Sequence, residues 1–299
     1  MRFATVIRGR VAAVVRIRAH RNPLAAAVGC VHTRPVPDAD DFRALARSSP
    51  WRFTTVRFTS RRGPSGDAVR AWLRRPDALR VETIDGALLG VVHGRSHTTS
   101  VVLGAGPGDP PPEAPPPVLR VDGLVAVRPW DADRADDPMW QDYRWVAMLD
   151  PVELADGQAR DGDTGEPAGP PLTIGTVREV DHGGRPAWEA VVATTDTYDP
   201  CCSCCPLLHD AGIDRLEWDD AGERFAGSRY PSATRVRLDV GTGVCVLTEA
   251  LDGTWAGDGH EVLIEAVDEP MDDDLFVEPP RAPSAPRWGY SPAPGPGRA

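Results

Sequence analysis

The chain has 299 residues, 41% of them hydrophobic, enough for one large domain or two small ones with a sizeable core. Its 31 prolines and 29 glycines, about a fifth of the chain, exclude a mainly helical protein and fit turn-rich β structure with loose segments. A net charge of −11 argues against general nucleic-acid binding, which needs a basic stripe to neutralise phosphates.

All 33 basic residues are arginine, and the first 80 residues are rich in it, whereas acid concentrates after residue 130. Residues 1–37 read as a solvated, partly disordered, Arg-rich segment, with contact to anionic lipid or nucleic acid as the alternative. No stretch reaches the ~20 apolar residues of a membrane span. The apolar runs at 11–15 and 24–28 are short, and Arg16, Arg18, His20 and Arg21 separate them, so no signal-peptide core forms. Residues 24–30, ending in Cys30, look like a lipoprotein cleavage site with too short an apolar run. A cytoplasmic protein is expected, with export or lipid anchoring as the alternative.

Asp38, Asp40 and Asp41 are good helix openers, and a short helix is predicted over 41–47, closed by Ser48-Ser49-Pro50. Period-two alternation follows, with Thr54, Val56 and Phe58 expected to face inward. Strand-length runs at 68–74, 79–84, 87–93 and 97–103 are separated by turn signals, Asp85-Gly86 being the strongest for a hairpin. Loops are expected at 104–117 and 156–170, with a helix between them over 140–154, bent at Pro151. Strands resume at 172–180 and 187–193. A last hairpin joins 234–240 to 244–251 through Gly241-Thr242-Gly243, and a strand at 260–267 follows. Residues 279–299 are a proline-rich tail expected to be disordered. The reading is mainly β (α+β): one domain over 38–278, built on a curved antiparallel sheet with a few helices in its concavity.

The order of these elements, with the pieces Arg74-Arg75-Pro76-Asp77-Ala78-Leu79-Arg80-Val81-Glu82, Arg235-Val236-Arg237-Leu238-Asp239 and the segment 266–276, resembles the LolA-type lipoprotein-carrier superfamily over roughly residues 40–278. The segment 143–154 together with Cys-Cys-Pro-Leu-Leu looks like an actinobacterial branch of it. The resemblance implies an incomplete antiparallel barrel with helices in its mouth. It also implies an apolar concave face that binds an acyl chain, a lipid or a lipidated peptide, without catalysis. The cysteine cluster lies outside that pattern.

Nine tryptophans are many for this chain; Trp72, Trp130, Trp140, Trp145 and Trp188 fall in or beside predicted elements. They read either as structural core or as the lining of a cavity for an apolar or amphipathic small molecule. In the second reading Trp72, Trp145, Met148 and Trp188 are the ligand-binding candidates, Trp145 and Met148 sharing a helix face.

Cys201, Cys202, Cys204 and Cys205 lie between Pro200 and Pro206, with His209 four residues on. Two overlapping C-x-x-C spacings, 201/204 and 202/205, can hold half of a zinc site or form a redox disulfide. One five-residue peptide does not easily wrap four thiolates around one ion, so His209 or Cys245 is the expected extra ligand. Asp196, Asp199 and Asp210 are expected to raise the thiol pKa values. The alternatives are a zinc site, a redox pair or a structural loop. His93 and His97 are separated by a turn and read as surface residues. The acidic residues from Asp268 to Asp274 lack EF-hand spacing and read as capping a final turn. There is no Gly-x-Ser-x-Gly, His-Glu-x-x-His, Walker or dinucleotide motif, so a binding protein is expected rather than an enzyme, and a regulatory protein holding a peptide partner is a further alternative.

Overall fold

The computed structural model describes residues 36–94, 116–129, 137–156 and 169–279. The strand expected at 97–103, His97, Trp130, most of the two expected loops and nearly all of both expected disordered ends lie outside these residues. Asp38 opens the first element. Its carboxylate accepts from the N–H groups of Asp40 and Asp41, and the Asp41 carboxylate accepts from the Asp38 N–H, a reciprocal capping box. Helix α1 (Ala39–Ser48) follows, one to two residues longer at each end than predicted, and buries Phe42, Ala44, Leu45 and Ala46. A 3₁₀ turn at Ser49–Trp51 carries the chain through Pro50.

The first meander is β1 (Thr55–Arg62), β2 (Val69–Arg74), β3 (Ala78–Thr83) and β4 (Leu88–His93), each strand antiparallel to the last. A separate hairpin of β5 (Val118–Leu119) and β6 (Val125–Val127) follows. Beyond helix α2 (Arg144–Leu149), the sheet continues with β7 (Leu172–Ile174), β8 (Arg178–His182), β9 (Arg185–Thr194), β10 (Thr234–Asp239), β11 (Cys245–Ala250) and β12 (Gly259–Val267). Two short helices, α3 (Ala211–Glu217) and α4 (Ala221–Arg224), lie between β9 and β10. The strand order is β4-β3-β2-β1-β12-β11-β10-β9-β7, with β8 also on β9. Pairing of β1 with β12, from Val56↔Val267 to Arg62↔His260, joins the two meanders into one ten-stranded antiparallel sheet. The sheet does not close into a barrel, and the predicted class, a mainly β protein on a curved antiparallel sheet, is what is observed.

Val56, Phe58, Ala71, Leu73, Leu79, Val81, Ala190, Val192, Val236 and Leu238 are buried alternate residues of these strands. The helices pack against them: Phe58 and Trp145 of α2 stand with ring centroids 5.7 Å apart. Burial of this aliphatic and aromatic surface, worth about 25 cal/mol per Å², is the main force holding the sheet to its helices.

Four local expectations are corrected. Thr54 is exposed; Phe53 is buried instead, under the Arg75 guanidinium 3.8 Å from its ring. The strand expected over 172–180 divides into β7 and β8, because one extra residue falls between the pairs Ile174↔Val192 and Arg178↔Glu189, a β-bulge. The helix expected over 140–154 shrinks to α2 and a 3₁₀ turn at Val152–Leu154. Gln141 has a left-handed φ of 64°, and Pro151 has no N–H with which to continue the helix. The acidic segment does precede a 3₁₀ turn, Asp273–Phe276, but Asp272 makes no side-chain cap bond there; Asp268 instead accepts from the Thr54 N–H at 2.7 Å.

Candidate functional site: a cavity beneath the middle helix and a thiol loop beside it

A cavity of about 710 Å³ opens between the β1–β3 end of the sheet and the segment leading into α2. Ser60, Val69 and Thr83 from the strands, and His260 from β12, form its floor. Trp140, Gln141, Arg144, Trp145 and Met148 form its roof. Asp67, Ala68, Ile84, Asp85 and Leu89 ring its mouth. The volume is that of a typical small-molecule site.

The sheet itself makes room for this cavity. Strands β11 and β12 pair only from Leu247↔Glu261 to Glu249↔Gly259 and then part. Two histidines occupy the carbonyls left by the parting. The Nε2–H of His260 donates to the Cys245 carbonyl at 2.8 Å, and that of His182 to the Val262 carbonyl at 2.9 Å. Burial pulls the His260 pKa down to about 4, so the ring is neutral and its Nδ1 accepts from the Thr248 hydroxyl at 3.0 Å. On the other side Trp140 lies against Gly90 of β4, where a methyl group would stand 2.6 Å from the indole; only glycine lets the ring lie this close.

Arg62 and Arg144 set the electrostatics. Arg62 donates two bonds to Asp142, 2.7 and 2.8 Å, and Asp142 also accepts from the Arg144 N–H at 3.1 Å, which fixes the start of α2. Among the described residues the Arg144 guanidinium makes no hydrogen bond and no ion pair. Burial, and then the neighbouring Arg62, lower its pKa; Asp142 and Glu153 oppose the shift through space. Arginine stays protonated in such a setting, so the roof carries a positive charge without a contacting counter-ion.

Of the predicted ligand-binding residues, Trp145 and Met148 line the cavity and Trp72 and Trp188 do not. Trp72 alternates with the buried Ala71 and Leu73, shares a face with Arg70 and Arg74, and stands across from Arg57 and Arg80, so the pleat turns it away from the helices. Trp188 is a core residue of β9 beside Leu238, with a buried Nε1–H that has no partner among the described residues. Trp140 is one of the tryptophans whose cavity-lining alternative the sequence offers, whereas Gln141, Arg144 and His260 carry no sequence expectation as ligand contacts. Gln141, Arg144, Trp145 and Met148 recur at helical spacing, a readable signal; the approach of His260 and Arg62 depends on β1 pairing with β12, which local sequence does not encode.

The thiol loop follows β9. Buried Glu153 pins it: one carboxylate oxygen accepts from the Tyr198 hydroxyl at 2.7 Å and from the Leu207 N–H at 2.8 Å, and the Cys201 N–H also bonds to this carboxylate. Its other oxygen is buried without a partner among the described residues, and burial pushes the carboxyl pKa up. The turn closes through the Cys205 N–H on the Cys202 carbonyl, 3.4 Å. Cys202, Cys204 and Cys205 thereby converge, with Sγ separations of 2.9, 3.5 and 3.3 Å. Burial, then the neighbouring thiols, raises Cys205; the bond with Cys202 raises Cys204.

The predicted metal ligands are thus brought together only in part. Cys201 stays outside the group of three. His209 stacks on Trp255, centroids 5.0 Å apart, and burial lowers its pKa. Cys245 is a core residue with its thiol toward the Leu247 carbonyl at 3.6 Å.

No protein-family model matches the chain, and no curated protein or solved structure matches it. No helix among the described residues is long and apolar enough to cross a membrane.

Proposed function

We infer that the protein binds an amphipathic small molecule with an anionic head, such as a fatty acid, in the cavity beneath α2, without transforming it. The observation that carries this reading is Arg144: a cation in the cavity roof with no contacting counter-ion among the described residues, beside the apolar surfaces of Trp140, Trp145 and Met148. A carboxylate there would neutralise the arginine with charge-assisted bonds, while an alkyl chain lies along the indoles toward Ile84 and Leu89 at the mouth. The carboxylates of Asp67 and Asp85 at the rim keep a second anionic group out, which favours a ligand charged at one end. The resemblance to acyl-binding half-barrels supports the same reading.

A fluorescent long-chain fatty acid tests it. The wild type should bind, Arg144→Met should weaken binding about 10–100-fold, the effect of losing hydrogen bonds to a charged group, and the corresponding alcohol should bind both forms alike. If the wild type binds no acyl probe, the reading fails.

A further inference from the structure

We propose that Cys202, Cys204 and Cys205 form a three-thiolate site for Zn²⁺ with its fourth coordination position open to solvent. This site is separate from the cavity proposal and stands without it. Zn–S bonds of ~2.3 Å in a tetrahedron put neighbouring sulfurs about 3.8 Å apart. The three sulfurs here are 2.9, 3.5 and 3.3 Å apart, so they need to spread by less than about 1 Å to accept the ion. All three therefore approach one point at once, which a hairpin holding a single disulfide does not require.

The loop's frame is built for this. Glu153 fixes it through Tyr198, Cys201 and Leu207, and the side chains of Tyr198, Leu207 and Leu208 are buried. Ser203, between the thiols, bonds to Glu217, the last residue of α3. The thiols thus project from a turn held on both flanks, which lowers the ordering cost of ligation. Charge balance points the same way. Binding exchanges three thiol protons for one Zn²⁺ and leaves a site of net charge −1, with no change of oxidation state. Arg62 lies within electrostatic reach of Cys205 and offsets that charge.

The fourth ligand is what the fold withholds. His209 is committed to its stack on Trp255, Cys245 is in the core, and Cys201 is not in the group. Cys204 is exposed, so the remaining position faces water. Three protein ligands and an open position are the pattern of zinc that exchanges ligands, in contrast to the closed four-ligand pattern of structural zinc.

The full chain, reduced and freed of metal, is titrated with Zn²⁺ against a chromophoric chelator, and then with Co²⁺. One equivalent should bind, the Co²⁺ form should show sulfur charge-transfer absorption, and bound Zn²⁺ should protect three thiols from alkylation. Cys204→Ser should lose about 10-fold or more in affinity, at least the loss that outer-shell partners of metal ligands produce. Cys201→Ser and His209→Ala should bind as the wild type does. Unchanged circular dichroism of each variant shows that it has folded, and fatty-acid binding is read separately. Failure of the reduced wild type to take up zinc overturns the proposal. So does uptake that survives replacement of all three thiols, or that depends on Cys201 or His209.

Discussion

Glu189 on β9 and Glu153 after α2 are both almost closed off from solvent, at 2% and 1% exposure, yet their surroundings push them in opposite directions. Burial raises the Glu189 pKa, but bonds from Arg178 and from Arg237, the latter 2.7 Å away, outweigh it and leave the carboxylate below its ordinary range. Asp239, two residues beyond Arg237, is satisfied in the same manner by Arg185 at 2.7 and 2.9 Å. Elsewhere Arg47, Arg75 and Arg128 are held by Asp156, Asp137 and Asp150. Among the described residues Glu153 receives only neutral donors and keeps one oxygen unpaired, so desolvation prevails and its pKa rises. Arg144 is the cationic counterpart of that deficit. The β8–β10 region is electrically closed; the region between the cavity and the thiol loop is left open, and there a ligand can supply what the chain does not.

The largest effect expected is at the closed end. Glu189→Gln leaves Arg237 half-buried without its anion and should cost about 2–3 kcal/mol; the pair with Arg178 adds little, because Arg178 is mostly exposed. Urea denaturation should show a lower midpoint with an unchanged slope. A loss below about 0.5 kcal/mol would put Glu189 among ordinary surface sites and dissolve the contrast.

The opposed pKa shifts also give opposed pH slopes. Glu189, with its pKa lowered on folding, contributes stability that is present above the ordinary carboxylate range and is lost as pH falls through its folded pKa. Glu153, with its pKa raised, makes the folded state bind the extra proton, so its contribution is present in acid and is lost as pH rises through its folded pKa. Subtracting the pH profile of Glu189→Gln from that of the wild type should leave a term rising with pH, and the same subtraction for Glu153→Gln a falling one. Two slopes of the same sign would show that partner charge does not separate these sites.

Gly90→Ala sharpens the comparison at the cavity rim. Alanine in a strand ordinarily gains about 0.5–1 kcal/mol over glycine. Here the new methyl meets Trp140 at 2.6 Å, so the indole must move, and a net loss of about 1 kcal/mol is expected together with weaker fatty-acid binding. A gain in stability would mean that Trp140 yields freely and does not shape the cavity.

Much of this frame was legible because its signals are local. The Asp38–Asp41 caps announced α1, and Asp85-Gly86 and Gly241-Thr242-Gly243 turned where predicted, with Gly86 and Gly243 at φ 91° and 76°. Trp72 was misread although its neighbours were informative: Ala71 and Leu73 inside fix Trp72 outside, and Arg70 and Arg74 share its face. The bulge between β7 and β8, the parting of β11 from β12, and the meeting of Arg62 with Asp142 across 80 residues depend on register between distant strands. Cys201 and Cys204 share a spacing with Cys202 and Cys205, and it is the folded turn, with the Cys201 N–H bonded to Glu153, that leaves Cys201 outside the group of three.

The smallest effects are expected where the charge deficit is greatest. Glu153→Gln should change stability by less than about 1 kcal/mol near neutral pH, because a neutral amide keeps the acceptor that Tyr198 and Leu207 use. Arg144→Met should be neutral or stabilising by up to about 1 kcal/mol, since it removes a charge taken from water without a contacting partner among the described residues and keeps a long stem to pack beside Trp145. The same substitution should abolish most of the affinity for a fatty acid while leaving that for its alcohol. Thermal melts with and without fatty acid separate the two effects: ligand should raise the wild-type midpoint and leave that of Arg144→Met nearly where it was. A clear loss of stability in ligand-free Arg144→Met would show that the guanidinium is already satisfied within the chain, and the cavity would then have no reason to prefer an anion.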